Sequence, residues 1–207
     1  MTLKTDKSTF IPNTPLTTAV LFLIFNRPET TQQVFSTIRQ AKPPRLYVAA
    51  DGPRIENPDE ANQCELARSI ATQVDWKCEV KTLFRDQNLG CRLAVSQAID
   101  WFFGQELEGI ILEEDCFPDQ SFFWFCQELL NRYRDDTRIM HIGGTNFQFG
   151  KKRTNYSYYF SRYTHLWGWA TWRRAWMFYD EKLNQWPEAK QNDILLPWAD
   201  DRCFIFY

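Results

Sequence analysis

Gly109-Ile110-Ile111-Leu112-Glu113-Glu114-Asp115-Cys116-Phe117-Pro118-Asp119 is the stretch on which the reading of this chain turns. Gly109 to Leu112 is too short and too rich in β-branched residues for a helix, so it reads as a buried strand. That strand breaks abruptly into three consecutive carboxylates. Adjacent acids repel one another unless something positive lies between them. A hard divalent cation bound through oxygen, its shell completed by phosphate, is one physical answer; a solvated turn is the other.

Upstream, Ala19 to Phe25 is an uninterrupted apolar run that reads as a strand buried on both faces, ending at Asn26-Arg27-Pro28. Pro28 suits the first position of a helix with Val34, Phe35 and Ile38 on one face, stopped by Pro43-Pro44. Leu46 to Ala50 is a second strand, followed by Asp51-Gly52-Pro53. Asn57-Pro58 opens a second helix with Ala61, Cys64, Ala67 and Val74 near helical spacing, and Cys78 to Phe84 alternates as a third strand ending at Arg85-Asp86. Asn88-Leu89-Gly90 then turns into a helix carrying Val95, Ile99 and Phe102, closed by Gly104. Beyond the acids, Phe122, Cys126, Leu129 and Tyr133 stripe one helix face, with Asp119 as its cap.

Strands alternating with helices of this length predict an α/β fold: a doubly wound, mainly parallel, Rossmann-like sheet. Residues 1–16 read as a polar lead-in and residues 17–207 as one domain. The later part is less regular. Arg138 to Ile142 and Tyr158 to Tyr163 are expected strands, Gly143-Gly144 a turn and Gly150 to Asn155 a basic loop, while Trp169, Trp172 and Trp176 recur at helical spacing. The sequence stops on Cys203-Phe204-Ile205-Phe206-Tyr207, an apolar run without a cap, which suggests that the natural protein continues.

Composition narrows the function. The 207 residues carry 24 basic and 26 acidic side chains, so no general attraction for nucleic acid is built in. Sixteen per cent aromatic content with nine Trp suits a large core, a stacking surface for sugars or bases, or both. Six cysteines show no CxxC spacing and read as reduced thiols. The amino terminus lacks an apolar signal core, and the longest early apolar run falls far short of the roughly 20 residues that span a bilayer. A cytoplasmic protein without a transmembrane segment is expected.

In a parallel sheet all carboxyl ends point to one edge, where ligands bind. That rule gathers Asn26 and Arg27, Asp51, Arg85 and Asp86, and the acidic triplet. There is no GxGxxG after the first strand and no GxxxxGK[ST] anywhere, which argues against an ordinary dinucleotide fold and a P-loop. Arg27 suits a phosphate, Asp51 a base or ribose, and the triplet a metal bridging a diphosphate. Each also has a plainer role: Arg27 near the helix start, Asp51 as a turn residue before Gly-Pro. His141 and His165 lack metal-ligand spacing, and no base stands beside Cys116 to make it a nucleophile.

Asn-Arg-Pro after the first strand, Asp-Gly after the second, Asn-Leu-Gly before a helix and Leu-Glu-Glu-Asp after the fourth strand together resemble GT-A glycosyltransferases. The resemblance is to the branch of N-acetylglucosaminyltransferase I and bacterial family-2-like sugar transferases, and spans roughly residues 17–180. His165-Leu166-Trp167-Gly168-Trp169 with Trp172 is similar to the family's Gly-x-Gly-Trp stretch on the acceptor side.

The resemblance implies a nucleoside diphosphate sugar donor, UDP-sugar favoured, a saccharide or other hydroxyl acceptor, and Mn²⁺ or Mg²⁺ held by Asp115. It further implies a donor set of Arg27 at the diphosphate, Asp51 at the uracil and Glu114 near the sugar or ribose, with Asn88, Arg92, Gly168 and Trp169. Glu113 is then structural. Relatives place a catalytic carboxylate in a Trp-Asp motif beyond the Trp-rich segment; here only Trp198-Ala199-Asp200-Asp201 is remotely similar. The base is accordingly Asp200 or Asp201, or lies beyond this sequence. A non-catalytic binding or scaffold protein of the same fold is the alternative. A nucleotidyltransferase would need a Gly- and basic-rich loop after the first strand, which Asn26-Arg27-Pro28 does not supply.

Overall fold

Apolar runs too short for helices become the centre of a sheet. A computed structural model of the chain describes residues 10–57, 59–147, 151 and 154–192. In chain order its elements are β1 (Val20–Ile24), α1 (Pro28–Ala41), β2 (Arg45–Ala50), α2 (Glu60–Ala71), β3 (Glu79–Phe84), α3 (Cys91–Phe103) and β4 (Glu108–Glu113). They continue with α4 (Gln120–Arg132), β5 (Ile142–Gly143), β6 (Trp169–Trp172), α5 (Arg173–Trp176) and α6 (Trp186–Gln191). The chain divides into two units, Met1–Met177 and Phe178–Tyr207; α6 is the helix of the second. No described helix is long and apolar enough to cross a membrane.

The six strands form one sheet in the order β3-β2-β1-β4-β6-β5. β1 pairs in parallel with both β2 and β4, and β2 with β3, whereas β6 runs antiparallel to β4 and β5. The sheet is therefore mainly parallel. The chain walks outward from β1 to β3, then crosses back to lay β4 on the other side of β1. A right-handed crossover in the reverse direction puts its helix on the opposite face. Accordingly α3 packs Ala98, Ile99, Phe102 and Phe103 against Leu21, Leu23, Tyr47 and Ile111, while α1, α2 and α4 cover the face of Phe22, Val48, Ile110 and Leu112. Strand alternation sends neighbouring residues into different cores, which is why these strands are apolar throughout. β3, on the outer edge, alternates between exposed and half-buried positions and carries Glu79 and Lys81.

Four expectations are corrected. Arg138 to Ile142 contributes only the two-residue β5, which takes in Gly143, so Gly143 is strand rather than turn. Tyr158 to Tyr163 is irregular, and the Tyr158 ring packs against Phe125, Tyr133 and Phe160. Trp169 and Trp172 belong to a strand, facing opposite cores, and only Arg173–Trp176 is helical. α2 ends at Ala71, leaving Val74 beyond it, packed at the edge of the core.

Candidate donor site at the carboxyl edge of the sheet

Between β1 and β4 the chain reverses its order of strand addition, the place where ligands enter open parallel sheets. Arg27, two residues past Phe25, and Asp115, two past the end of β4, meet there: Arg27 Nη1 donates to Asp115 Oδ2 at 2.8 Å. Both are open to solvent, with 57% and 49% of their side chains exposed. The hydrogen bond to Asp115 holds the Arg27 pKa above its ordinary value, with Glu114 and Glu113 adding to it.

Glu114 behaves differently from its neighbours. Alternation along β4 turns it onto the α1 face, where it is 5% exposed. Its Oε2 accepts from the Phe25 backbone N at 2.6 Å and from Thr31 Oγ1 at 3.3 Å, and its Oε1 lies 3.6 Å from Arg27 Nε. The carboxylate thus sits at the amino end of α1, where the helix dipole favours it, and ties the exits of β1 and β4 together. Burial nonetheless raises its pKa. Glu113 faces the other way and is half-buried; burial first, then the charges of Asp115 and Glu114, raise its pKa too. Glu114 is a clamp within the fold, its hydrogen bonds made to the protein.

Asp51 is a second clamp. Its Oδ1 accepts from Gly52 N at 2.9 Å and Leu89 N at 3.0 Å, and its Oδ2 from Asn88 Nδ2 and Gly90 N, both at 3.0 Å. A carboxylate has about four acceptor positions; these are taken. In this structure Asp51 satisfies the free N–H groups ahead of α3. Asn88 Nδ2 also donates to Gly52 O at 2.8 Å. Gly52 has to be glycine, since a Cβ there would lie 2.4 Å from the Gln87 backbone carbon.

The remaining expected residues are spread more widely. Arg92 is exposed in the first turn of α3. Gly168, at φ 71°, is buried beside Leu112 and Phe122, and its carbonyl accepts from Gly144 N at 2.9 Å. Trp169 is buried in the core and stacks on His141 with ring centroids 5.0 Å apart. Burial lowers the pKa of His141, whose Nε2 lies 3.1 Å from His165 O. Trp167 is 62% exposed and meets Phe147 edge-on. Burial raises the Cys116 thiol pKa, which keeps it from acting as a thiolate. Asp200 and Asp201 lie outside the described residues, as do Lys152 and Arg153 of the basic loop.

Sequence reading missed Glu60, Arg54 and Arg68. Glu60 is buried in the first turn of α2, bonded to Asn26 from the β1 exit and Arg54 from the β2 exit. Arg68, farther along α2, donates through Nη2 to Asp51 O at 3.2 Å and to Arg85 O at 2.6 Å, fixing the β2 and β3 exits against each other. Its guanidinium lies over the Phe84 ring, and its Nε is buried without a partner among the described residues. The available signal was spacing: position 68 lies four residues from Cys64 and next to Ala67, a charge on the buried stripe of a helix.

No protein-family model and no curated protein matches this chain. Among solved structures it is similar to 4-diphosphocytidyl-2C-methyl-D-erythritol synthase from Anaerococcus prevotii DSM 20548, with a TM-score of 0.43 and 10% identity over 76% of this chain and 72% of that one.

The residues at the β1–β4 crevice can be weighed against a divalent cation on their own chemistry. Asp115 and Glu114 both approach the Arg27 guanidinium, and Glu113 adds its charge from the other side of the strand, an excess of negative charge that one arginine does not balance. Among the described residues no group of three or more His, Cys, Asp or Glu side chains forms a cage, because alternation splays the triplet. A metal enclosed by protein does not fit; a Mg²⁺ or Mn²⁺ held through one carboxylate, with water and phosphate oxygens completing its shell, does. Asp115, the most exposed of the three acids, is the side chain that would hold such a cation.

Proposed function

We propose that this chain transfers a sugar from a nucleoside diphosphate donor to an acceptor hydroxyl, with a divalent cation at Asp115. The observation that carries the reading is the Arg27–Asp115 pair at the reversal point of the sheet, with its unbalanced carboxylates. The resemblance of Asn26-Arg27-Pro28, Asp51-Gly52 and Leu112-Glu113-Glu114-Asp115 to GT-A glycosyltransferases points the same way.

In this reading Asp115 leaves Arg27 for the cation, and Arg27 turns its guanidinium to the diphosphate, for which it has the fork geometry. A cation held at Asp115 would supply positive charge against that developing on the departing diphosphate. Glu114 and Asp51 hold the exits of β1, β4 and β3 in register, so the donor meets a fixed edge. The acceptor hydroxyl gives its proton to a carboxylate as it attacks the anomeric carbon opposite the diphosphate, which inverts the configuration. Asp200 and Asp201 are the candidates for that base in this sequence.

The test is release of UDP from a panel of UDP-sugars, with saccharide acceptors, with and without Mn²⁺. Metal-dependent release that Asp115→Ala abolishes supports transfer. Nucleotide binding without turnover supports the non-catalytic alternative, and neither binding nor release contradicts both.

A further inference from the structure

Glu60 carries its charge with only 1% of its side chain exposed. Its Oε1 accepts from Asn26 Nδ2 at 2.7 Å and also from Arg54 Nη2; its Oε2 accepts from the Arg54 backbone N at 2.7 Å. Arg54 Nε reaches both oxygens at 3.1 Å. One edge of the guanidinium is therefore fixed by a buried carboxylate, while 52% of the Arg54 side chain stays in solvent. Its Nη1 makes no hydrogen bond to any described residue. The guanidinium carbon lies 5.7 Å from the centroid of the half-buried Phe25 ring.

Phe25 and Asn26 follow β1 and Arg54 follows β2, so this group stands in the β1–β2 crevice, one strand away from Arg27 and Asp115. The two crevices differ in charge. At β4 Glu114 and Asp115 share one arginine, whereas Arg54 and Glu60 form a one-to-one pair. Arg54 holds the Glu60 carboxyl down to about 2, so the pair is ionised throughout the neutral range. A neutralised guanidinium with an open donor edge and a flat aromatic neighbour suits an uncharged, planar ring that bears an acceptor, more than it suits a phosphate. Asp51, the neighbouring carboxylate, has no acceptor capacity left to read a base.

We propose that Arg54, held by Glu60, receives the nucleobase of the donor, its Nη1 donating to a ring carbonyl oxygen beside Phe25. The inference rests on the nucleotide-donor reading above. Uracil, cytosine and guanine present such a carbonyl; adenine presents none. The base then lies between β1 and β2 and the diphosphate between β1 and β4.

The experiment is calorimetric titration of the full chain with UDP, ADP and pyrophosphate in Mn²⁺, for the wild type, Arg54→Met, Arg54→Lys and the double variant Arg54→Met/Glu60→Gln. The double variant removes the buried charge together with its partner and so keeps the fold. Wild type is expected to favour UDP over ADP. Arg54→Met and the double variant should lose roughly tenfold for UDP, the worth of one hydrogen bond to a charged group, with ADP and pyrophosphate unchanged. Unchanged UDP affinity overturns the proposal; an equal fall for UDP and pyrophosphate overturns it in favour of an anion site; an equal fall for UDP and ADP removes the base reading. A wild type that binds pyrophosphate but neither nucleotide, or none of the three, contradicts the nucleotide-donor reading itself and this proposal with it, and the wild-type titrations alone reveal that.

Discussion

Arg27 Nη1 and Asp115 Oδ2, 2.8 Å apart, join the exits of the two strands between which the chain reverses direction across the sheet. On the proposed reading, a cation at Asp115 would compete with Arg27 for the same oxygens, whereas a diphosphate would gain from Arg27. The two ligands should therefore respond oppositely to Arg27→Gln. Affinity for Mn²⁺ alone is expected to rise by about threefold as the competing charge leaves. Affinity for UDP is expected to fall by about tenfold with the lost charged hydrogen bond. Manganese binding followed by electron paramagnetic resonance and UDP titration check the two signs separately.

Asp51→Asn should act on stability. The carboxylate accepts from the backbone N–H groups of Gly52, Leu89 and Gly90, and an amide would point its own N–H₂ group at some of them. We expect a loss of about 2 kcal/mol in denaturant unfolding, with amide exchange accelerated most at residues 88–90. A variant with unaltered stability but lost UDP binding would restore Asp51 to the base-contact role that the sequence assigned to it.

Gly52→Ala tests the close passage of the β2 and β3 exits. The added Cβ would meet backbone atoms of Gln87 and Asp86 at 2.4 to 2.7 Å, and backbone cannot swing aside as a side-chain tip does. The loop must shift, at a cost of about 2 kcal/mol or more. A melting temperature equal to wild type would contradict the packing.

Much of this was legible in sequence, and the part that was not has a common cause. The strands Val20–Ile24, Arg45–Ala50 and Glu108–Glu113 each contain a short apolar run followed by turn or charged residues, a local pattern that one strand imposes alone. Trp169–Trp172 defeats the same logic: four residues buried throughout fit a helix or a strand equally, and only pairing with β4 and β5 decides. At the site, topology gathered Arg27 and Asp115 at one edge of the sheet, and the structure pairs them. It did not show that Glu114 and Asp51 turn inward, because a carboxylate's partners are backbone N–H groups that every sequence contains. Arg54 was passed over because its partner, Glu60, sits in another element and reads in isolation as an ordinary acid of a helix's first turn.

The Glu60 carboxyl supplies a pH signature. Its folded pKa is lowered from 4.5 to about 2, so across that interval the unfolded chain binds the extra proton. Stability then rises with pH through the window, and the contribution of Glu60 is complete above the unfolded value and lost as pH falls toward about 2. The stability gap between wild type and Glu60→Gln should be constant above about pH 5 and close below it. Urea unfolding at pH 3, 4, 5 and 7 measures it; a gap that widens on acidification would contradict the ion pair with Arg54.

The central claim is that Asp115 holds a divalent cation which in turn holds a nucleoside diphosphate. It is tested most directly by calorimetric titration of UDP into wild type and Asp115→Asn, each with and without Mn²⁺. Wild type should bind UDP at least about tenfold more tightly with the metal, and Asp115→Asn should bind it equally in both conditions. UDP binding that ignores Mn²⁺ in the wild type, or a metal effect of full size in Asp115→Asn, would contradict the claim.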